Sequence, residues 1–429
     1  MAYDKVVDSA ALDVIFKSIA DAIRTKAGTT EAIEHTAMAA AIRAIKGGGF
    51  PNGTAWTQSN ITSGLFGCVH NANGIWVAGG TGNASTGLYY STNGKTWTQS
   101  NITSGKFTSV YNANGIWVAC TDGNGLYYST DGKTWTQSNI TSGKFTSVYN
   151  ANGIWVACTD GNGLYYSTDG KTWTQSNLTS AYCNAVYNAN GLWVACSSTG
   201  IYWSTNGTTW TQSNITSRIH AVHYANGIWV AGSSGGTGIT STGLYYSTDG
   251  KTWTQSNITS VGLYTIHYAN GIWVAGSSDN KGLYWSTDGK TWTQSNITKA
   301  YCNSVYNADG IWVASCTTGT FSNTTKGLYY STDGKTWTQS NLTIPGYYVH
   351  HANGIWVACK DTAISLSGGT GIYYSVTWEA EAEGIEITSD GNGNATVQGL
   401  TVTDDGDGNV IATGFTVTDD GNGNVTIGG

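Results

Sequence analysis

Proline is nearly absent from this chain, with two in 429 residues, and helix formers are sparse beyond residue 46. Most of the sequence therefore reads as β. Charge is also scarce: 10 % of residues are charged, and no basic stripe exists of the kind a nucleic-acid binder needs. The longest apolar runs fall far short of a membrane span, which excludes insertion by a helix. The opening MAYDKVVDSAALD lacks the charged-then-apolar pattern of a signal peptide, so classical secretion is not expected. No Cys-x-x-Cys spacing occurs, and the cysteines are expected to be buried free thiols in a chain made in a reducing cytoplasm. Neither cofactor nor metal is expected.

What the chain has in abundance is repetition. Residues 97–134 recur letter for letter at 135–172, and six altered versions fill nearly everything between Ala55 and Trp378. A repeat array makes one large domain from many small units. Each unit offers four short strands, in the form WTQSN, FTSVYN, IWVA and LYYS. Asn-Gly dipeptides such as Asn114-Gly115 join the second to the third, and Asp-Gly or Asn-Gly dipeptides such as Asp131-Gly132 join LYYS to the next Trp. Both suit type I′ turns. Four antiparallel strands per unit is a propeller blade.

Counting the pieces predicts how the array closes. IWVA-type strands and WTQSN strands each occur eight times, but the Asp-Gly turn occurs seven times: after Gly371-Ile372-Tyr373-Tyr374-Ser375 the chain reads Val376-Thr377-Trp378. The spare strand Trp56-Thr57-Gln58-Ser59-Asn60 should complete the last blade and seal two edges. The fold class expected is all-β, an eight-bladed β-propeller with N-terminal outer-strand closure, over 54–378. The Trp rows are expected to be its core.

The motif Ser129-Thr130-Asp131-Gly132-Lys133-Thr134-Trp135 and its six relatives resemble the Asp-box of the BNR and sialidase-like propellers, one residue shorter than that family's spacing. The resemblance implies that FTSVYN is innermost and WTQSN outermost. Sialidase-like hydrolases use an arginine cluster, a tyrosine nucleophile and acidic partners. This chain has three arginines, of which only Arg218 lies in the repeats, so their mechanism is not carried over and no enzymatic activity is expected.

Two flanking segments complete the domain plan. Leu12, Ile15, Phe16, Ile19 and Ile23 keep helical spacing, as do Met38, Ile42 and Ile45, which predicts a short α-helical attachment or assembly module over 1–46 with a Gly-rich linker at 47–53. SIADAIRTKAGTTEAIEHTAMAAAIRAI resembles the leader of many tail and other virion proteins of bacteriophages and prophages. Residues 379–429 hold no base, and Asp390, Asp405 and Asp420 mark strand-turn-strand units spaced by 15, a small acidic β-hairpin domain. Similar hairpins occur in phage structural proteins, so this segment is expected to trimerise or to bind other virion proteins. Its Asp-rich turns lack the Gly and Glu of a calcium loop.

Function should lie where the copies differ. Counted from the inner strand FTSVYN to the outer WTQSN, the 1-to-2 and 3-to-4 turns of an up-and-down blade share one face of the disc, and here they hardly vary. The 2-to-3 and 4-to-1 connections share the other face and vary in length and chemistry, with tyrosine at their tips. The candidate ligand-binding residues are Tyr182, Asn184, Arg218, His220, Tyr264, Tyr301, Asn303, Phe321, Tyr347 and Tyr348. His70, His223, His267 and His350 exchange with Tyr111, Tyr149, Tyr187 and Tyr306 at one inner-strand position, which reads as polar-tipped packing rather than a metal ring. The expected function is a phage tail or fibre receptor-binding protein, located on the virion, that recognises a bacterial surface glycan or other receptor. A structural decoration or assembly protein, and a glycoside hydrolase acting on the host envelope, are the alternatives.

Overall fold

The structure is a computed structural model that describes residues 53–376, apart from 83–85, 234–242, 318–326, 344–346 and 361–369, and the strands of the tail between 387 and 428. The expected helical module at 1–46, the linker before Gly53 and Phe321 lie outside the described residues. Residues 52–376 form one compact unit. The tail strands pair as antiparallel hairpins on either side of the three acidic turns, for example Leu400–Asp404 with Val410–Thr413.

The strands of the main unit come in meanders of four, such as Phe107–Ala113, Ile116–Gly123, Leu126–Ser129 and Thr136–Gln137, each antiparallel to the next. Six of these sheets stand alone, and two share an eight-stranded sheet because Gly143 and Lys144 pair with Gly123 and Asp122. This all-β architecture is that of a β-propeller. We number the sheets 1 to 8 by their first strands, which begin at Phe66, Phe107, Gly143, Cys183, Ala221, Leu263, Tyr301 and Tyr347. Sheet 8 takes its fourth strand from the start of the unit: Thr57 and Gln58 pair with Tyr374 and Tyr373.

The core lies between sheets. Val118, Cys120 and Leu126 of sheet 2 pack on Phe145, Val148, Trp155 and Trp173, which belong to sheet 3. Ile355, Val357 and Ile372 of sheet 8 meet Phe66, Trp76 and Trp97 of sheet 1 in the same way, so the packing runs full circle. The Trp rows are core, as their invariance implied: Trp117 is 2 % exposed and Trp135 3 %. Burying one such side chain is worth on the order of 4–6 kcal/mol before entropy is charged against it.

A second set of bonds joins neighbours at the outer edge. Asn101 donates its amide to the carbonyl of Trp135 at 2.9 Å and accepts the Trp135 N–H at 2.8 Å. Equivalent clasps follow from sheet to sheet, and the last, Asn341 with Trp56, closes the circle at 3.1 and 2.8 Å. The asparagines of the Asn-Ile-Thr triplets are thus structural.

Two expectations need correction. The Asn114-Gly115 turns are type I′, with φ of 52° and 77°, but Asp131 has no positive φ and only Gly132 does, at 71°. In the Asp-Gly turns the carboxylate replaces a backbone acceptor: Asp131 accepts the N–H groups of Lys133 and Thr134 at 2.8 and 2.7 Å, and the Ser129 hydroxyl accepts that of Gly132 at 2.9 Å. A Cβ on Gly132 would also come within 3.2 Å of Trp117. The cysteines differ as well. Cys302 and Cys316 form a disulfide, because they face each other in the register of sheet 7, while the other six are buried free thiols.

Candidate functional site

The inner strands meet around the axis through one aromatic position. His70, Tyr111, Tyr149, Tyr187, His223, His267, Tyr306 and His350 touch in succession with ring centroids 4.9–5.4 Å apart, and His350 returns to His70 at 5.0 Å. Each ring also meets the edge of the next sheet's Trp, as Tyr111 meets Trp155. Burial pushes His70 and His223 down to about 4 and His267 and His350 to about 3, so the imidazoles are neutral. Among the described residues no group of three His, Cys, Asp or Glu converges to hold a metal ion. The position is a packing site.

Among the described residues, connections of the two variable sets bond to one another. Ser198 in the 2-to-3 turn of sheet 4 donates to the Tyr182 carbonyl at 2.8 Å, and Ser278 of sheet 6 donates to that of Gly262 at 2.7 Å. On the other flank, Gly163 and Gly282 donate to Ala181 and Ala300 in the connectors that lead on to the next sheets. These bonds brace the backbone of the described connectors.

Four of the candidate residues form an arc across sheets 4, 5 and 6. The Arg218 guanidinium lies over the ring of Tyr182, 5.8 Å from its centroid. Two residues on, the His220 ring meets Tyr264 edge-on at 5.0 Å. Tyr264 is 39 % exposed. Nε of Arg218 and Nδ1 of His220 are buried and make no hydrogen bond, an arrangement that costs roughly 1–3 kcal/mol for each such group. Burial, and then the Arg218 charge, push His220 down to about 4 against a bond to the Tyr264 backbone, so it too is neutral. The arc continues through a pair that the sequence reading passed over: Lys144 and Asp122 meet at 3.2 Å. Their signal was positional, since Lys144 precedes Phe145 as Tyr182 precedes Cys183.

The remaining candidates divide. Tyr348 is 36 % exposed, whereas Tyr347 beside it is wholly buried and packs edge-on against Tyr373 at 5.8 Å. Tyr347 is a correction: it takes the core place of Phe66 and Phe107, and burial drives its phenol far above the usual range. Asn184 is also withdrawn as a free contact. Its amide donates to the Ile219 carbonyl at 3.0 Å, the spoke that Thr108 and Thr146 make to Phe145 and Cys183. Tyr301 and Asn303 are half-buried at the start of sheet 7, and the structure does not bring them to the Arg218 arc.

The turn aspartates belong to the opposite face. A groove of about 320 Å³ there is lined by Asn190, Tyr224, Trp229, Asp249 and Lys251. Asp249 braces its own turn: its Oδ1 takes N–H groups from Lys251 and Thr252 and the Ser247 hydroxyl. Desolvation would raise it, but those backbone bonds outweigh that and hold it below the usual carboxylate range.

No protein-family model matches the sequence, and no curated protein does. Solved structures share the fold. The computationally designed Ika8 protein aligns over 76 % of this chain and 100 % of its own at 12 % identity, with a TM-score of 0.58. Sqt1 of Saccharomyces cerevisiae aligns over 76 % and 99 % at 9 % identity, TM-score 0.54. The GH74 enzyme of Niastella koreensis is a looser likeness, 20 % identical over 72 % of this chain and 48 % of that one, TM-score 0.45.

Proposed function

We propose that the chain is an eight-bladed propeller of the Asp-box type that serves as a receptor-binding protein of a phage particle and adheres to a bacterial surface glycan through its variable face. One observation carries this reading. The described connections of the two variable sets bond to one another, and there Tyr182, Arg218, His220 and Tyr264 lie in an arc. Tyrosine faces offer sugar rings apolar contact at little entropic cost. The phage context rests on the resemblance of residues 18–45 to virion-protein leaders.

The alternative of a glycoside hydrolase has less behind it. A paired-carboxylate mechanism needs two acids free to exchange protons, and the repeated aspartates are bound to backbone. We read the protein as a binder and not an enzyme. A bacterial glycan array and a host-cell adsorption assay test this. Binding should fall tenfold or more with Tyr264→Ala or Tyr182→Ala, without loss of fold. Failure to bind any host envelope would favour the decoration role, and release of sugar from envelope would favour the hydrolase.

A further inference from the structure

Resting on that recognition face, we propose that Arg218 anchors a subsite for an acidic saccharide, its guanidinium taking a carboxylate or phosphate oxyanion of the sugar. Lys144 and Arg218 each directly precede the buried residue that enters the core, Phe145 and Ile219. Lys144 is neutralised by Asp122 of the preceding sheet's 2-to-3 turn, at 3.2 Å. In the turn that precedes Arg218, the place of Asp122 is held by Ser198. The match is set by a shared bond: Asp122 donates its N–H to the Lys106 carbonyl at 2.9 Å, and Ser198 donates to that of Tyr182 at 2.8 Å. Ile219 bonds to Ser197 at 2.9 Å, so the Arg218 connector lies against this hydroxyl-bearing turn. Among the described residues the cation at this place meets a carboxylate at Lys144, whereas Thr81 stands opposite Lys106 and Ser198 opposite Arg218.

Among the described residues no carboxylate pairs with Arg218, and its Nε is buried without a partner. The Tyr182 ring beneath it holds the guanidinium in one place. His220 follows Arg218 by two residues, as Thr146 follows Lys144, and its Nδ1 is buried without a partner. A guanidinium fork donates two parallel bonds to an oxyanion, and the exposed Tyr264 beside His220 offers a face for the sugar ring. This is a single rim arginine, not an axial cluster.

The test uses the full chain against immobilised neutral glucan, polygalacturonate oligosaccharides and a glycerol-phosphate polymer, with affinities of the best probes from calorimetry. Expected is at least tenfold preference for one acidic probe, uronate or phosphate, weakened by salt. Arg218→Gln should lose tenfold or more on that probe, and a clearly larger factor there than on neutral glucan. Ser198→Asp should do the same with Arg218 intact, by supplying a counter-ion, and guards against a folding defect in the first variant. Equal binding of neutral and acidic probes, or full acidic binding by both variants, overturns the subsite. If neutral glucan binding is lost in Tyr264→Ala while both charge variants bind as wild type, the recognition face stands and the subsite falls. If no probe binds, both fall.

Discussion

Gly53 donates its backbone N–H to the hydroxyl of Ser375 at 2.9 Å, and so makes across 322 residues the bond that Gly132 makes to Ser129 across three. The indole of Trp56 then donates to the Gly53 carbonyl at 3.0 Å, as Trp135 does to Gly132. The turn missing after Ser375 is thus rebuilt from the other end of the unit. Asn341 adds the outer clasp on Trp56.

Breaking that clasp should be measurable. Asn341→Ala leaves the Trp56 N–H without its partner and is expected to cost about 1–3 kcal/mol in urea unfolding. Asn139→Ala removes the same bonds to Trp173 inside the array. The seam variant should in addition expose a sheet edge and aggregate sooner on warming; equal aggregation of the two would argue against a special role for the seam.

Stability should fall on acidification through the axial histidines. Their folded pKa values are depressed to about 3 or 4, while unfolded imidazole titrates near 6.5. The unfolded state therefore binds more protons between those limits, so the contribution is complete above about pH 6.5 and is lost as pH falls toward 4. Each histidine can contribute up to roughly 3 kcal/mol, with less for neighbours that titrate together. Replacing His70 and His350 by Tyr, the residue other sheets use, should flatten the urea midpoint between pH 7 and 4.5. An unchanged slope would refute the assignment.

The adjacent tyrosines of sheet 8 should behave oppositely. Tyr347→Ala empties a core site and is expected to cost about 3–5 kcal/mol. Tyr264→Ala, at an exposed position, should stay within about 0.5 kcal/mol. Thermal unfolding of the two variants checks the separation of core from surface.

A rim of cation–π contacts also links neighbours. Lys251 lies 4.5 Å from the Trp203 ring and Lys335 4.6 Å from Trp285, closer than the 5.6–5.9 Å of Lys95, Lys133, Lys171 and Lys290 over tyrosines. Lys251→Thr, the residue found at position 208, should cost about 0.5–1 kcal/mol, and Lys133→Thr less. Calorimetric midpoints that rank the pair the other way would dismiss the aromatic preference.

The sequence by itself determined everything that depends on period. A fixed order of strands, two kinds of turn and a Trp at fixed places could be read because each repeat must bury the same faces against its neighbours. The deficit of one turn after Ser375 was legible for the same reason, and so was the strand that makes it good. Tertiary structure decided what depends on partners about 35 residues away. Tyr347 and Tyr348 are neighbours in the chain, yet a strand sends them to opposite sides, and the shortened connector determines which side is core. Asn184 looked like a loop contact until the next sheet supplied a carbonyl for it. Arg218 looked like one residue in a varied loop, and only the neighbouring turn shows that Ser198, and not a carboxylate, stands opposite it. Composition and spacing describe what a segment carries, but the free energy of a charge or a polar atom is set by what folding places against it.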